Sequence, residues 1–231
     1  MSELLEQVKQ NPPNWAEDII EVYPYASEGE IWEYATSYYW CQSASVNVHD
    51  VIGTAHPDYS GKSWLNLLHN GKRMQSINLP LLAENPGYYY ETKKKEPEMQ
   101  YRRIDDKTYI CREGNHRTCI ARFLFHYEGH SIIHGIATEE FTIDHGFKKA
   151  HELLNNVLMK NNMLGNTKVI RTTLSRDDTS GWMREHYDLK LEVNGRGDRL
   201  LLSTDEIHEL ILDSQRLFRK MFGKYKKYWK Q

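Results

Sequence analysis

The stretch Lys107-Thr-Tyr-Ile-Cys111-Arg-Glu-Gly114-Asn-His-Arg117-Thr-Cys-Ile-Ala-Arg122 decides how the chain is read. Residues 108–111 have the composition of a β-strand, and residues from 118 onward that of a helix. Between them lies a short polar turn with one glycine. A strand that feeds a helix through such a turn aims backbone N–H groups and the positive end of the helix dipole at one point. That arrangement attracts anions, phosphate above all.

The flanks extend the pattern. Residues 101–104 and 107–111 surround Asp105-Asp106, which predicts a hairpin leading into the turn. In the helix Ile120, Phe123, Leu124 and Tyr127 share a face, and Gly129 is placed to end it. Residues 131–137 predict a buried strand, with 141–143 extending the sheet. Upstream, short helices are expected over 2–10 and 15–22 and a longer one over 28–40, with Ser27 as its cap. Strands are expected over 46–52 and 77–82. A short helix follows Ser63. Downstream, a helix over 147–158, strands at 169–174, 187–193 and 200–202, and a turn at 194–197 are expected. Ser203-Thr-Asp-Glu206 reads as a capping box opening a long amphipathic helix. The fold class is therefore α+β, in three consecutive parts. They are a helical extension over 1–45, a central mixed domain over 46–145 that holds the turn, and an α/β region with a basic amphipathic helix over 146–231.

Composition narrows the function classes. The 231 residues carry a net charge of −2, so no global positive field marks a nucleic-acid binder. Three cysteines, with no zinc-ligand spacing, argue against a disulfide framework and for a reducing compartment. No segment resembles a signal peptide or approaches the length needed to span a bilayer. The expectation is a cytoplasmic protein without a membrane partner.

The string Tyr109-Ile-Cys-Arg-Glu113-Gly-Asn-His-Arg117-Thr-Cys-Ile-Ala-Arg-Phe123 resembles the signature of the ParB/sulfiredoxin-like superfamily. There a strand is followed by [DE]-G-x-[HR]-R and a helix with small and apolar residues. The resemblance covers about residues 46–143. It implies a fold in which the turn cradles the phosphates of ATP or CTP, with magnesium. It assigns Gly114, Asn115, His116, Arg117 and Thr118 to the nucleotide. Catalytic duty falls to Glu113, His116 and Arg117, and Glu113 takes the metal. Chemically the set is apt, since glycine permits close backbone approach and arginine can grip phosphate with two N–H groups. Asn115 stands where sulfiredoxins carry their cysteine, so sulfinic-acid repair is not expected. NTP hydrolysis, phosphotransfer and DNA cleavage in the manner of a nuclease remain open. Lys62, in Ser60-Gly-Lys-Ser63, is a further candidate phosphate contact.

Two alternatives stand beside this reading. Cys111-x5-Arg117 followed by Thr118 fits a cysteine phosphatase loop, with Asp58 as the acid, although Ile110 replaces the usual histidine. The C-terminal helix carries Arg216, Arg219, Lys220, Lys224 and Lys227 among aromatic residues, with no acid after Asp213. That pattern suits a non-catalytic module binding DNA or RNA through the phosphate backbone.

Overall fold

A computed structural model describes residues 3–160, 167–194 and 199–217. In chain order the elements are α1 (Glu3–Gln10), β1 (Glu21–Val22), α2 (Glu28–Tyr34), β2 (Ala35–Asn47), β3 (Val51–Thr54), α3 (Trp64–Asn70) and α4 (Leu79–Glu84). They continue as β4 (Gln100–Ile104), β5 (Lys107–Ile110), α5 (Asn115–Glu128), β6 (Ile132–Ile143), α6 (His145–Lys160), β7 (Thr167–Thr179), β8 (Trp182–Asn194), β9 (Arg199–Leu202) and α7 (Thr204–Leu217). The protein is α+β.

The chain forms two compact units that interleave in sequence, unlike the three consecutive blocks expected from the sequence. The first comprises residues 1–25, 39–141 and 178–184, and the second 26–38, 142–177 and 185–231. The reason lies in the length of the strands. β2, β6 and the β7–β8 pair each run through both units, so no cut between consecutive elements separates the two.

In the first unit the strand order is β1-β3-β5-β4-β6-β2. β1 pairs with β3, and β3 with β5, in parallel. β4 and β5 form the expected antiparallel hairpin, with Ile104 opposite Lys107. β6 returns parallel to β4. α5 is the connection between β5 and β6, and its Cys119, Ile120 and Phe123 are fully buried beside Ile110, Ile133 and Ile136. Trp64, Leu67 and Leu68 of α3 complete this core. Ser63 caps α3, accepting from the Asn66 N–H at 3.1 Å.

The second unit is built on α2, α6 and α7 with the β7–β8–β9 meander. Its buried residues include Ile31, Phe147, Leu154, Leu191, Leu202 and Ile207. The capping box is present: the Ser203 N–H donates to Glu206 at 2.9 Å, and the Glu206 N–H to Ser203 Oγ at 3.4 Å.

Several local expectations are corrected. The helix expected over 28–40 ends at Tyr34, because Ala35-Thr-Ser-Tyr-Tyr-Trp40 enters a ladder that suits β-branched and aromatic side chains. Residues 46–52 are no single strand, since a 3-10 turn at Val48–Asp50 separates β2 from β3. Residues 15–22 form turns and the short β1. The strand expected over 77–82 is helical: a π-helical turn, Met74–Asn78, runs into α4, with Pro80 in the first turn where its missing N–H costs nothing. The two strand pieces near 131–143 are one strand, β6. Asn194 ends β8, and the rest of the expected turn, 195–197, lies outside the described residues, as does the end of the amphipathic helix. Among the described residues no helix is long and apolar enough to cross a membrane.

Candidate functional site

β5 delivers the chain to a turn that is strapped to β4 at both ends. The Cys111 N–H donates to Gln100 O, and the Gln100 N–H to Glu113 O, each at 3.2 Å. Gly114 then adopts φ 120°, a conformation that disfavours any side chain, and a Cβ there would press on Met99 at 3.2 Å. α5 starts at the next residue. Its first complete turn closes with the Thr118 N–H on Gly114 O at 2.7 Å. No side chain caps it. The N–H groups of Asn115, His116 and Arg117 therefore have no helical partner and carry the positive end of the dipole.

These groups border a cleft of about 400 Å3. The turn from Arg112 to Arg117 forms one wall. His56 and Tyr59 form another, Arg73, Ile77, Asn78 and Leu81 a third, and Pro97 closes an edge. A mainly apolar hollow of about 220 Å3 adjoins it, sharing Asn78, Leu81, Pro97 and Arg117, and adding Leu82, Asn85, Tyr88, Tyr89 and Glu96. The cleft is thus polar and cationic at the helix start and apolar and aromatic at the other end.

The structure redistributes the roles expected of the turn. Asn115 is buried, and its Oδ1 accepts from the Thr54 hydroxyl at 2.7 Å. Its Oδ1 ties β3 to α5, while the residue still borders the cleft. Thr118 is also buried, sharing a 2.6 Å hydrogen bond with the Tyr101 hydroxyl, and its N–H is spent on Gly114. Both corrections have one cause. Positions 115, 118, 119 and 122 lie on the inward face of the helix, three and four residues apart. Arg117 lines the cleft, but its guanidinium is committed. It donates to the Tyr88 hydroxyl at 2.7 Å, to Pro97 O, and to Glu98 O at 3.1 Å. The expected two-pronged grip on phosphate is replaced by a strut that holds the 88–98 loop.

His116 and Glu113 do face the cleft. His116 is half-buried, with Nε2 3.2 Å from the Tyr59 hydroxyl. Burial, and then the neighbouring His56 and Arg73, pushes its pKa below the usual imidazole value. Tyr59 also stacks on the His56 ring at 4.4 Å. His56 Nδ1 accepts the Asp58 N–H at 3.2 Å, which places the ring proton of neutral His56 on Nε2. Glu113 is exposed and is the one carboxylate on the cleft wall among the described residues.

Lys62 is exposed on the loop before α3 and does not line the cleft. Cys111 and Asp58 do not line it either, so the phosphatase trio of thiol, arginine and acid is not assembled there. The Cys111 thiol lies 4.0 Å from Tyr109 O. Arg216 lies on α7, while Arg219, Lys220, Lys224 and Lys227 fall outside the described residues.

Four residues escaped the sequence reading: His56, Tyr59, Arg73 and Arg112. The first three come from loops 40 to 60 positions upstream of the turn, and no local pattern announces them. Arg112 lies inside the turn and was legible as its second cation.

Among the described residues no group of three or more His, Cys, Asp and Glu is placed to hold a metal ion. A magnesium ion held chiefly by phosphate oxygens needs only one or two carboxylates, and Glu113 can supply one. No protein-family model, curated protein or solved structure matches the chain.

Proposed function

We propose that the protein binds a nucleoside triphosphate, ATP or CTP, in the cleft at the start of α5. In this reading residues 46–145 form a ParB/sulfiredoxin-like nucleotide-binding domain. The observation that carries it is the uncapped start of α5 in a cationic cleft that opens into an aromatic hollow. The N–H groups of residues 115–117 suit a phosphate group. The hollow walled by Leu81, Leu82, Tyr88 and Tyr89 suits a planar base. A phosphate alone would leave that hollow empty, and an apolar ligand would leave the amides unpaired. The order β5–turn–α5–β6, entered by the β4–β5 hairpin, agrees with the arrangement that the resemblance implies. Glu113, beside the cleft, is the residue to share a magnesium ion with the phosphates. His116, neutral near pH 7 and next to Tyr59, is the residue placed to accept or pass a proton there.

Calorimetric titration with ATP, CTP and GTP, each with magnesium, tests the reading. Saturable binding of at least one is expected, weakened when Gly114 is replaced by alanine. No heat and no competition by any of the three removes it.

A further inference from the structure

We propose that the charged tail of the ligand is gripped by Arg73 and Arg112, and that this pair tunes the cleft for chains of two or more phosphates. The proposal rests on the nucleotide reading for the site and goes beyond it in assigning the grip.

Three arginines line the cleft. Arg117 is committed to Tyr88 and two backbone carbonyls. Arg73 and Arg112 are exposed, and among the described residues neither side chain makes a hydrogen bond or an ion pair, even though Glu113 shares the wall. Two unpaired guanidinium groups on one concave surface leave charged donors free for a polyanion.

Arg73 adds a second observation. Its backbone is left-handed, with φ 65° and ψ 6°, which is uncommon for a residue with a long side chain. The conformation is held from outside. Arg73 O accepts from the N–H groups of Ile77 at 3.0 Å and Asn78 at 3.1 Å, and from the Asn78 side chain at 2.9 Å. Glycine would satisfy the same turn without strain. An arginine in this place carries backbone cost in exchange for a cation on the cleft wall, and strain of that kind gathers at ligand clamps. Arg73 and His116 line the same cleft.

Geometry also sets the substrate class. The helix start can satisfy one phosphate group through its amides. Arg73, before the π-helical turn, and Arg112, in the turn before α5, belong to different segments and add donors at separate points. A single phosphate uses few of these donors, whereas a diphosphate or triphosphate uses them together.

The test uses phosphate chains without a base. Orthophosphate, pyrophosphate and tripolyphosphate are titrated into the full chain beside ATP and CTP. Affinity is expected to rise along the series. Arg73→Gln and Arg112→Gln should each lower tripolyphosphate affinity by roughly tenfold to a hundredfold, the weight of a charge-assisted hydrogen bond. They should leave orthophosphate nearly unchanged. Arg117→Gln should lower the melting temperature and preserve the ranking. Arg73→Gly should raise the melting temperature while losing tripolyphosphate affinity, a pairing that a merely structural arginine would not produce. An equal affinity along the series, or a ranking untouched in the Arg73 and Arg112 variants, overturns the assignment. Tripolyphosphate that depends on both arginines, with no added affinity for ATP or CTP, upholds the grip and removes the nucleotide reading. Nucleotide binding indifferent to both arginines does the reverse.

Discussion

Arg122 carries a charge into the core of the first unit, 5% exposed, and among the described residues no carboxylate pairs with it. Its guanidinium donates to the carbonyls of Val48, His49 and Val51 at 2.9, 3.2 and 2.7 Å. It lies over the rings of Trp15 and Trp64 at 4.8 and 4.4 Å. Burial lowers its pKa to about 10, still high enough to keep it charged at neutral pH. Three carbonyls and two aromatic faces thus replace a counter-ion. Arg122→Met keeps the apolar stem but orphans those carbonyls, so a loss of about 3 kcal/mol is expected in urea unfolding. A midpoint within error of the wild type would show that water fills the gap at no cost. Gly135 makes the sharper case of backbone necessity. It has φ 75°, and a Cβ there would sit 1.9 Å from Lys93 O, while Gly135 O accepts the Lys95 N–H at 2.9 Å. Neither backbone can yield without breaking that bond. Gly135→Ala is expected to cost about 3 kcal/mol or more, read as the same midpoint shift.

At the scale of elements, caps and strand ladders were legible to different degrees. The caps at Ser27, Ser63 and Ser203 are local hydrogen bonds between residues three apart, and the sequence places them correctly. Ser203→Ala removes the hydroxyl arm of the α7 box, leaving the backbone N–H of residue 203 on Glu206, and is expected to cost about 1 kcal/mol, measured by thermal melting. No change in melting would mean that α7 is held by packing alone. The β4–β5 hairpin and the stop of α5 at Gly129 were equally local. The end of α2 was not. Residues 35–40 have aromatic residues at helical spacing, and only pairing with strands far along the chain decides for β2. The candidate site divides along the same line. The turn and the free amides of α5 follow from residues 107–118. The positions of Asn115 and Thr118 on the inward face follow from counting along the helix, once the start of α5 is fixed at Asn115 instead of Thr118. The engagement of Arg117 by Pro97 and Glu98, and the arrival of His56, Tyr59 and Arg73, depend on loops that only the folded sheet brings together.

Partly buried histidines occur in each unit of the molecule. His49 and His116 in the first unit and His151 in the second are all partly buried, and burial is the leading cause that pushes each below the ordinary value of 6.5. His151 is held between the Tyr34 hydroxyl at 3.0 Å and the Thr167 hydroxyl at 3.1 Å. Thr167 donates onward to Asn155 Oδ1, so it accepts from His151 Nε2–H, and Nδ1 accepts from Tyr34. The neutral ring satisfies the network, and a second proton would face the Tyr34 hydroxyl as donor to donor. The unfolded chain takes up protons near pH 6.5, whereas the folded chain resists them until a lower pH. Stability contributed by the neutral rings is therefore complete above about pH 6.5 and is lost as pH falls through the depressed folded values. Melting temperature should be level from about pH 8 to 6.5 and then fall before the carboxylates begin to titrate near pH 5. A phosphate chain in the cleft changes one of the three rings. Its negative charge beside His116 favours the imidazolium, raising the folded pKa and reducing the proton deficit of the native state. Saturating tripolyphosphate should therefore raise the melting temperature more at pH 5.5 than at pH 7.5, and His116→Gln should abolish that difference while the acid-labile contribution of His151 persists. Equal stabilisation at both pH values would place the anion away from His116 and the start of α5.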